Sequence, residues 1–143
     1  RLIIVILIIG AITFSEFGKQ NTVVQIGNGE FTLPDGYMKG EINEFGALTL
    51  RNGTNSIYIV EKNDSDIPKY LKEYGEFIKD KNETMTFINL TIDNVDVYKT
   101  DNVDNPTTVN YWFNKNNKTY EIYSWDGNNK MDTLVVDMIK TLN

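Results

Sequence analysis

The residue types best suited to recognition chemistry lie close together, within residues 107–125 of this 143-residue chain. Three are aromatic and two are polar: Trp112, Tyr123, Trp125, Glu121 and Asn110. Aromatic faces can stack on a sugar ring or on a peptide side chain, and a carboxylate beside an amide can fix the polar groups of that ligand. These residues therefore predict a binding platform for a glycan or another protein. The alternative is that the aromatic side chains pack beneath a helix as part of the core.

A β-hairpin is the element that would bring these side chains to one face. Residues on both sides of positions 114–117 are rich in β-branched and aromatic types, which favours two strands with a turn between them. Because asparagine tolerates positive φ, a two-residue turn at Asn116 and Asn117 would place Trp112 opposite Glu121. The other face of this hairpin is predicted to join the core through Val109, Tyr111, Phe113, Tyr120 and Ile122.

Composition excludes several reaction classes. The chain contains neither cysteine nor histidine, which excludes thiol nucleophiles, histidine-based triads and most zinc sites. Its net charge of −6 argues against a nucleic-acid partner. The acidic loop at residues 101–105 offers oxygen ligands but does not fit the EF-hand pattern, so we predict no metal and no cofactor. We also predict no enzymatic activity.

The chain begins with an apolar run at residues 2–14, directly after Arg1. This run is shorter than the ~20 residues of a membrane span and close to the ~7–15 residues of a signal-peptide core. We therefore assign residues 1–17 to a signal anchor or signal peptide, residues 18–22 to a linker and residues 23–143 to one extracytoplasmic domain. The predicted partner of residues 2–14 is the membrane, and the C-terminal domain is predicted to lie outside the cytoplasm or to be secreted.

Glycosylation motifs agree with export. Five asparagines begin an Asn-x-Ser/Thr motif, and two of them, Asn52 and Asn117, lie in predicted turns. These two residues are the candidate glycosylation sites, because turns expose the acceptor side chain.

The remaining pattern predicts an α+β domain. Several short strands precede an amphipathic helix with Pro68 in its first turn, four strands follow, and a second amphipathic helix covers residues 130–142. Short hairpin connections favour an antiparallel β-sheet with both helices packed on it, preceded by the N-terminal hydrophobic helix. In the first of the two packed helices, an apolar stripe is predicted to face the sheet: Ile67, Tyr70, Leu71, Tyr74, Phe77 and Ile78.

This order of elements resembles a known type of domain. The segment FTLPDGY at residues 31–37 is followed by strands, a helix after a hairpin, and more strands. A hairpin ending in Trp125-Asp126-Gly127 then precedes the last helix. The arrangement is similar to small exported α/β/α sandwich domains of the Mog1/PsbP-like type. The resemblance implies a non-enzymatic accessory or binding role, and it brings no catalytic residue with it.

Three functions follow from these observations. The first is a membrane-anchored or secreted binding module for a protein or glycan. The second is a structural surface component that assembles through the N-terminal helix, which filament formation dependent on residues 2–14 would favour. The third is a hydrolase that uses paired carboxylates. The sequence does not indicate which two carboxylates would lie at the separation that glycoside hydrolysis needs.

Overall fold

The computed structural model describes residues 22–143, which form nine strands and two helices. The strands are β1 (Val23–Ile26), β2 (Gly29–Thr32), β3 (Met38–Ile42), β4 (Leu48–Asn52), β5 (Asn55–Lys62), β6 (Met85–Ile92), β7 (Val95–Asn102), β8 (Val109–Lys115) and β9 (Lys118–Ser124). Helix α1 (Ile67–Asp80) lies between β5 and β6 in the chain, and helix α2 (Met131–Thr141) follows β9. The predicted α+β class and order of elements are confirmed. The predicted hydrophobic segment, residues 1–17, and the linker before residue 22 lie outside the described residues.

Strands β3 to β9 form one antiparallel sheet in the order β3-β4-β5-β9-β8-β7-β6, and β1 pairs with β2 alone. The β8–β9 hairpin lies in the middle of the large sheet, and its register pairs Trp112 with Glu121 as predicted. Asn116 and Asn117 form the turn with φ of 54° and 63°. These are the left-handed values that a type I′ hairpin turn requires at both positions.

One face of the sheet, which we call the α2 face, carries the main core. Helix α2 and the β1–β2 hairpin cover it, and the last residue of the chain is tied to β2 by two backbone hydrogen bonds between Asn143 and Glu30, of 3.0 and 2.8 Å. The sheet contributes buried apolar side chains from its central strands, among them Ile57, Ile59, Tyr111, Phe113, Tyr120 and Ile122. The predicted apolar face of the β8–β9 hairpin is therefore core.

The opposite face, the α1 face, carries Tyr58, Val60, Thr100, Asn110, Trp112, Glu121 and Tyr123. Helix α1 packs on this face. Its first turn is capped by Asp66, whose side chain accepts a hydrogen bond from the Lys69 backbone N–H at 3.1 Å. With one helix on each face, the domain has three layers.

Helix α1 covers only part of its face. It buries Ile67 and Ile78, and Tyr74 packs on Trp112 with 5.4 Å between ring centroids. Phe77, which the apolar stripe predicts to face the sheet, is instead 55% exposed. The reason is geometric, since Phe77 lies at the edge of the stripe and about 80° around the helix from the buried Ile67.

Within residues 22–143, neither helix is both long enough and apolar enough to cross a bilayer.

Candidate ligand-binding cleft

An open cleft lies on the α1 face, beside the part of helix α1 that contains Tyr74 and Phe77. Its volume of about 480 Å³ is within the range of small-molecule sites. Helix α1 forms one wall, strands β5, β8 and β9 form the floor, and the β3–β4 and β7–β8 connections contribute to the rim. The cleft exists because the helix covers the sheet incompletely.

A cluster of three aromatic rings lies at one side of the cleft, and two of them, Tyr123 and Trp125, line it. Tyr58 stacks on Tyr123 at a centroid distance of 5.0 Å, and Trp125 lies 5.0 Å from Tyr58 and 5.7 Å from Tyr123. The next residue, Asp126, accepts a hydrogen bond from Ser124 Oγ at 2.9 Å, which fixes the chain where it leaves β9. The two tyrosines thus support the Trp125 indole, yet the residue stays 53% exposed and open to a ligand.

The β3–β4 connection places Phe45 at the rim. Asn43 Oδ1 accepts hydrogen bonds from the backbone N–H groups of Phe45 and Ala47, both at 2.9 Å, so the side chain holds the turn from inside. Asn43 Nδ2 also donates to the Tyr123 hydroxyl at 3.0 Å. One asparagine therefore couples this rim to the aromatic cluster.

The floor of the cleft holds a largely buried carboxylate. Glu121 Oε2 accepts a hydrogen bond from Asn110 Nδ2 at 2.6 Å, and Glu121 Oε1 lies 3.5 Å from Lys62 Nζ. Burial raises the pKa of Glu121, and the nearby Lys62 ammonium and the Asn110 amide oppose that rise. Burial also raises the pKa of Tyr74 in the helical wall to about 12, so its hydroxyl stays protonated at neutral pH.

A second polar group lies at the β7–β8 rim. Asn102 donates to Glu83 at 3.0 Å, Asn105 donates to the same carboxylate, and Lys81 Nζ lies 3.5 Å from it. Asn102, Asn105 and Lys81 line the cleft, whereas Glu83 does not. The amides are thereby held in place at the edge of the site.

The acidic loop at residues 101–105 uses its oxygen atoms within the protein. Asn102 Oδ1 accepts the backbone N–H groups of Asp104 and Asn105 at 2.9 and 3.0 Å, and Asp104 Oδ2 accepts the Thr84 backbone N–H at 2.7 Å. The part of the chain that the structure describes brings together no group of three or more acidic side chains placed to hold a metal ion. The loop serves here as a rim of the cleft.

Four of the five predicted platform residues line this cleft: Asn110, Glu121, Tyr123 and Trp125. The fifth, Trp112, lies beneath helix α1 and is 2% exposed, so it has the core role given above as the alternative. The sequence reasoning missed the opposite wall, formed by Tyr74, Phe77 and Lys81, and the rim residue Phe45. The sequence did contain one indication of this wall, because Phe77 lies at the edge of the apolar stripe of helix α1.

The two candidate glycosylation residues are both exposed. Asn52 ends β4 at a hairpin, and Asn117 lies in the β8–β9 turn. Both side chains are thus placed where a glycan would extend into solvent, and their modification remains a prediction.

The three-layer arrangement defines a PsbP-like α+β fold. It is similar to the solution structure of cyanobacterial PsbP (CyanoP) from Synechocystis sp. PCC 6803, with a TM-score of 0.53 and 9% sequence identity over 87% of this chain and 92% of that chain. This likeness is one of fold, and it confirms the PsbP-like part of the predicted resemblance. The Mog1 part stays a prediction. No protein-family model and no curated protein matches the chain.

Proposed function

We propose that this chain is an extracytoplasmic, non-enzymatic binding module that takes its ligand in the cleft on the α1 face. One observation carries the proposal: the exposed, supported indole of Trp125 lies in the same cleft as the polar pair formed by the buried Asn110 and the largely buried Glu121. Apolar walls around a few placed polar groups are the general make-up of ligand sites.

The cleft lining favours binding over hydrolysis. Among the described residues that line the cleft, Glu121 is the sole carboxylate, whereas glycoside hydrolysis uses two that flank the scissile bond. The neighbouring Glu83 is engaged by two amides and Lys81. The chain also lacks the histidine and cysteine that most often act as base or nucleophile.

We place the module outside the cytoplasm, with residues 2–14 directed to the membrane as an anchor or as a signal peptide. Alkaline phosphatase fused after Asn143 tests this location, because that reporter becomes active only after export. Activity is expected. A fusion that is inactive, while a cytoplasm-dependent reporter at the same position is active, would overturn the location and leave the cleft proposal standing.

Thermal melting tests the ligand site. The full chain, in a detergent without a sugar headgroup, is melted with a panel of neutral oligosaccharides, short peptides and aromatic metabolites. A compound that binds the folded state alone raises the Tm. Trp125→Ala is expected to remove that rise, because it deletes the exposed indole of the cleft.

The matched control is Phe87→Ala, which deletes a 48%-exposed ring from β6 at the edge of the sheet and outside the cleft. This variant should keep the rise in Tm. A compound that raises the Tm of the Trp125→Ala variant as much as that of the natural chain would place the ligand site elsewhere.

A further inference from the structure

The charges around the cleft are paired within the protein. Lys62 Nζ lies 3.5 Å from Glu121, and Lys81 Nζ lies 3.5 Å from Glu83. An anionic ligand would have to compete with these carboxylates for the lysines, and a cationic ligand would compete with Lys62 for Glu121. At the Lys62–Glu121 pair, whose side chains are 25% and 12% exposed, either competition would leave a largely buried charge less well compensated than before. Lys81 is half exposed, so its pair with Glu83 adds less to this cost. A ligand without net charge avoids this cost.

The floor offers no free backbone edge. Strand β9 is paired on both sides, with β5 and with β8, and β8 is also paired with β7. An extended peptide that binds by adding a strand needs unpaired N–H and C=O groups. In the large sheet those groups lie at β3 and β6, the two edge strands. The cleft must therefore recognise its ligand through side chains.

The side chains that face the cleft combine flat apolar surface with hydrogen-bonding groups. Trp125 and Phe77 each expose more than half of their surface, while Asn110 and Glu121 lie on the floor. A pyranose ring has this same division, with C–H groups on its faces and hydroxyls around its edge. Its C–H face can cover an indole while its hydroxyls donate to a carboxylate and exchange hydrogen bonds with amides.

From these three features we infer that the ligand is a neutral saccharide, bound with one sugar ring stacked on Trp125 and with hydroxyl groups directed to Glu121 and Asn110. This inference rests on the proposed function, because it names the ligand class of the same cleft. Glu121 serves as the hydroxyl acceptor, and Asn110 holds that carboxylate in position through its 2.6 Å hydrogen bond.

A single-tryptophan variant tests the ligand class. The chain has two tryptophans, so Trp112→Phe leaves Trp125 as the only one. The probes are maltotriose, cellotriose and N-acetylchitotriose, with deacetylated chitotriose as the cationic counterpart and trigalacturonate as the anionic one. Binding by a neutral trisaccharide should shield Trp125 from acrylamide quenching. The charged trisaccharides should bind about tenfold more weakly or worse, by the loss of one paired charge.

Calorimetry on the natural chain and its variants tests whether the trisaccharide binds in the cleft. Trp125→Ala should weaken binding about tenfold or more, as expected for a central aromatic contact. Phe87→Ala, which removes an exposed ring outside the cleft, should change it little. Because Trp125 is more than half exposed, its removal leaves the fold intact, which circular dichroism can verify.

The outcomes separate the two proposals. Equal or tighter binding of a charged trisaccharide overturns the neutral-ligand inference. If no neutral trisaccharide shields Trp125, while a peptide or aromatic metabolite from the melting panel binds and loses binding in Trp125→Ala, the saccharide inference fails and the proposed function stands. If nothing in either panel shields Trp125, both fail.

Discussion

The two faces of the sheet are built by the same strands but closed to different degrees. Helix α2 buries four of its 11 residues on the α2 face, whereas helix α1 buries two of its 14 residues on the α1 face. Since alternate residues of a strand point to opposite sides, β8 and β9 supply core side chains on one face and cleft side chains on the other. Side-chain alternation within one hairpin therefore separates the residues that stabilise the domain from those that line the cleft.

Two carboxylates show the same contrast. Burial raises the pKa of Glu121 on the α1 face. Asp132, at the start of helix α2, is exposed: its limited burial raises its pKa, but the hydrogen bond from Tyr111 and the Lys99 ammonium 3.0 Å away outweigh that rise and hold its pKa below the ordinary value. A buried carboxylate with incomplete compensation costs stability and is typical of functional sites. This loss of stability arises on the α1 face, which is the more open of the two.

The largest predicted difference concerns one residue from each helix. Ile139 in α2 is fully buried, so Ile139→Ala should lower the free energy of unfolding by about 2–5 kcal/mol through lost burial and a residual cavity. Phe77 in α1 is 55% exposed, and Phe77→Ala should cost no more than about 1 kcal/mol. Urea unfolding followed by circular dichroism measures both. Similar losses in the two variants would mean that the α1 face is as closed as the α2 face.

The sequence was sufficient to predict the hairpin and the fold class. Consecutive asparagines at 116 and 117 favour a two-residue turn with positive φ, and alternation of apolar residues then fixes the register, because a one-residue slip would turn the core side chains to the wrong face. The helices were equally visible, since Asp66 and Pro68 mark the start of α1 and a 3.6-residue period marks both apolar stripes.

The coverage of the sheet was not predictable in the same way. Trp112 was correctly placed on the face that also carries Tyr123, yet its exposure is 2% whereas that of the nearby Trp125 is 53%. Alternation tells which face a side chain is on, but the position of helix α1 over that face depends on packing between residues far apart in the chain. For the same reason the wall residues Tyr74 and Phe77 could not be assigned to the platform.

A second prediction uses the two carboxylates. Because the folded pKa of Glu121 is raised, the folded state binds more protons than the unfolded state, and stability should fall as pH rises from the unfolded pKa, about 4.3, through the folded one. Glu121→Gln removes this fall. The free energy of unfolding of the variant, minus that of the natural chain, should therefore increase as pH rises. Urea unfolding between about pH 3 and 7 measures the difference.

Asp132→Asn is the matched variant with the opposite sign. The folded pKa of Asp132 is lowered, so its contribution is present above the unfolded pKa, about 3.9, and is lost as pH falls through the folded one. The variant should therefore lose more stability at neutral pH than in acid. The contrast between the faces breaks down if both variants shift the pH profile in the same direction.

The smallest predicted effect concerns two buried hydroxyls on the α1 face. Thr49 Oγ1 and Thr100 Oγ1 have no hydrogen-bond partner within residues 22–143. Replacing a buried, unpaired hydroxyl with a methyl group of similar shape removes its desolvation cost, so Thr100→Val should raise the free energy of unfolding by about 1 kcal/mol. Thr119→Val is the control, because this buried hydroxyl on the same face donates to Asn114, and its loss should lower stability by a similar amount.

A loss of stability in Thr100→Val would show that water satisfies this hydroxyl. Thr100 is paired with Asn110, which lines the cleft, so solvent in the cleft is the nearest source for such a water. That result would extend the hydrated part of the α1 face beneath helix α1 as far as Thr100, and would increase the difference from the α2 face. A gain in stability instead places the boundary of the cleft at Asn110.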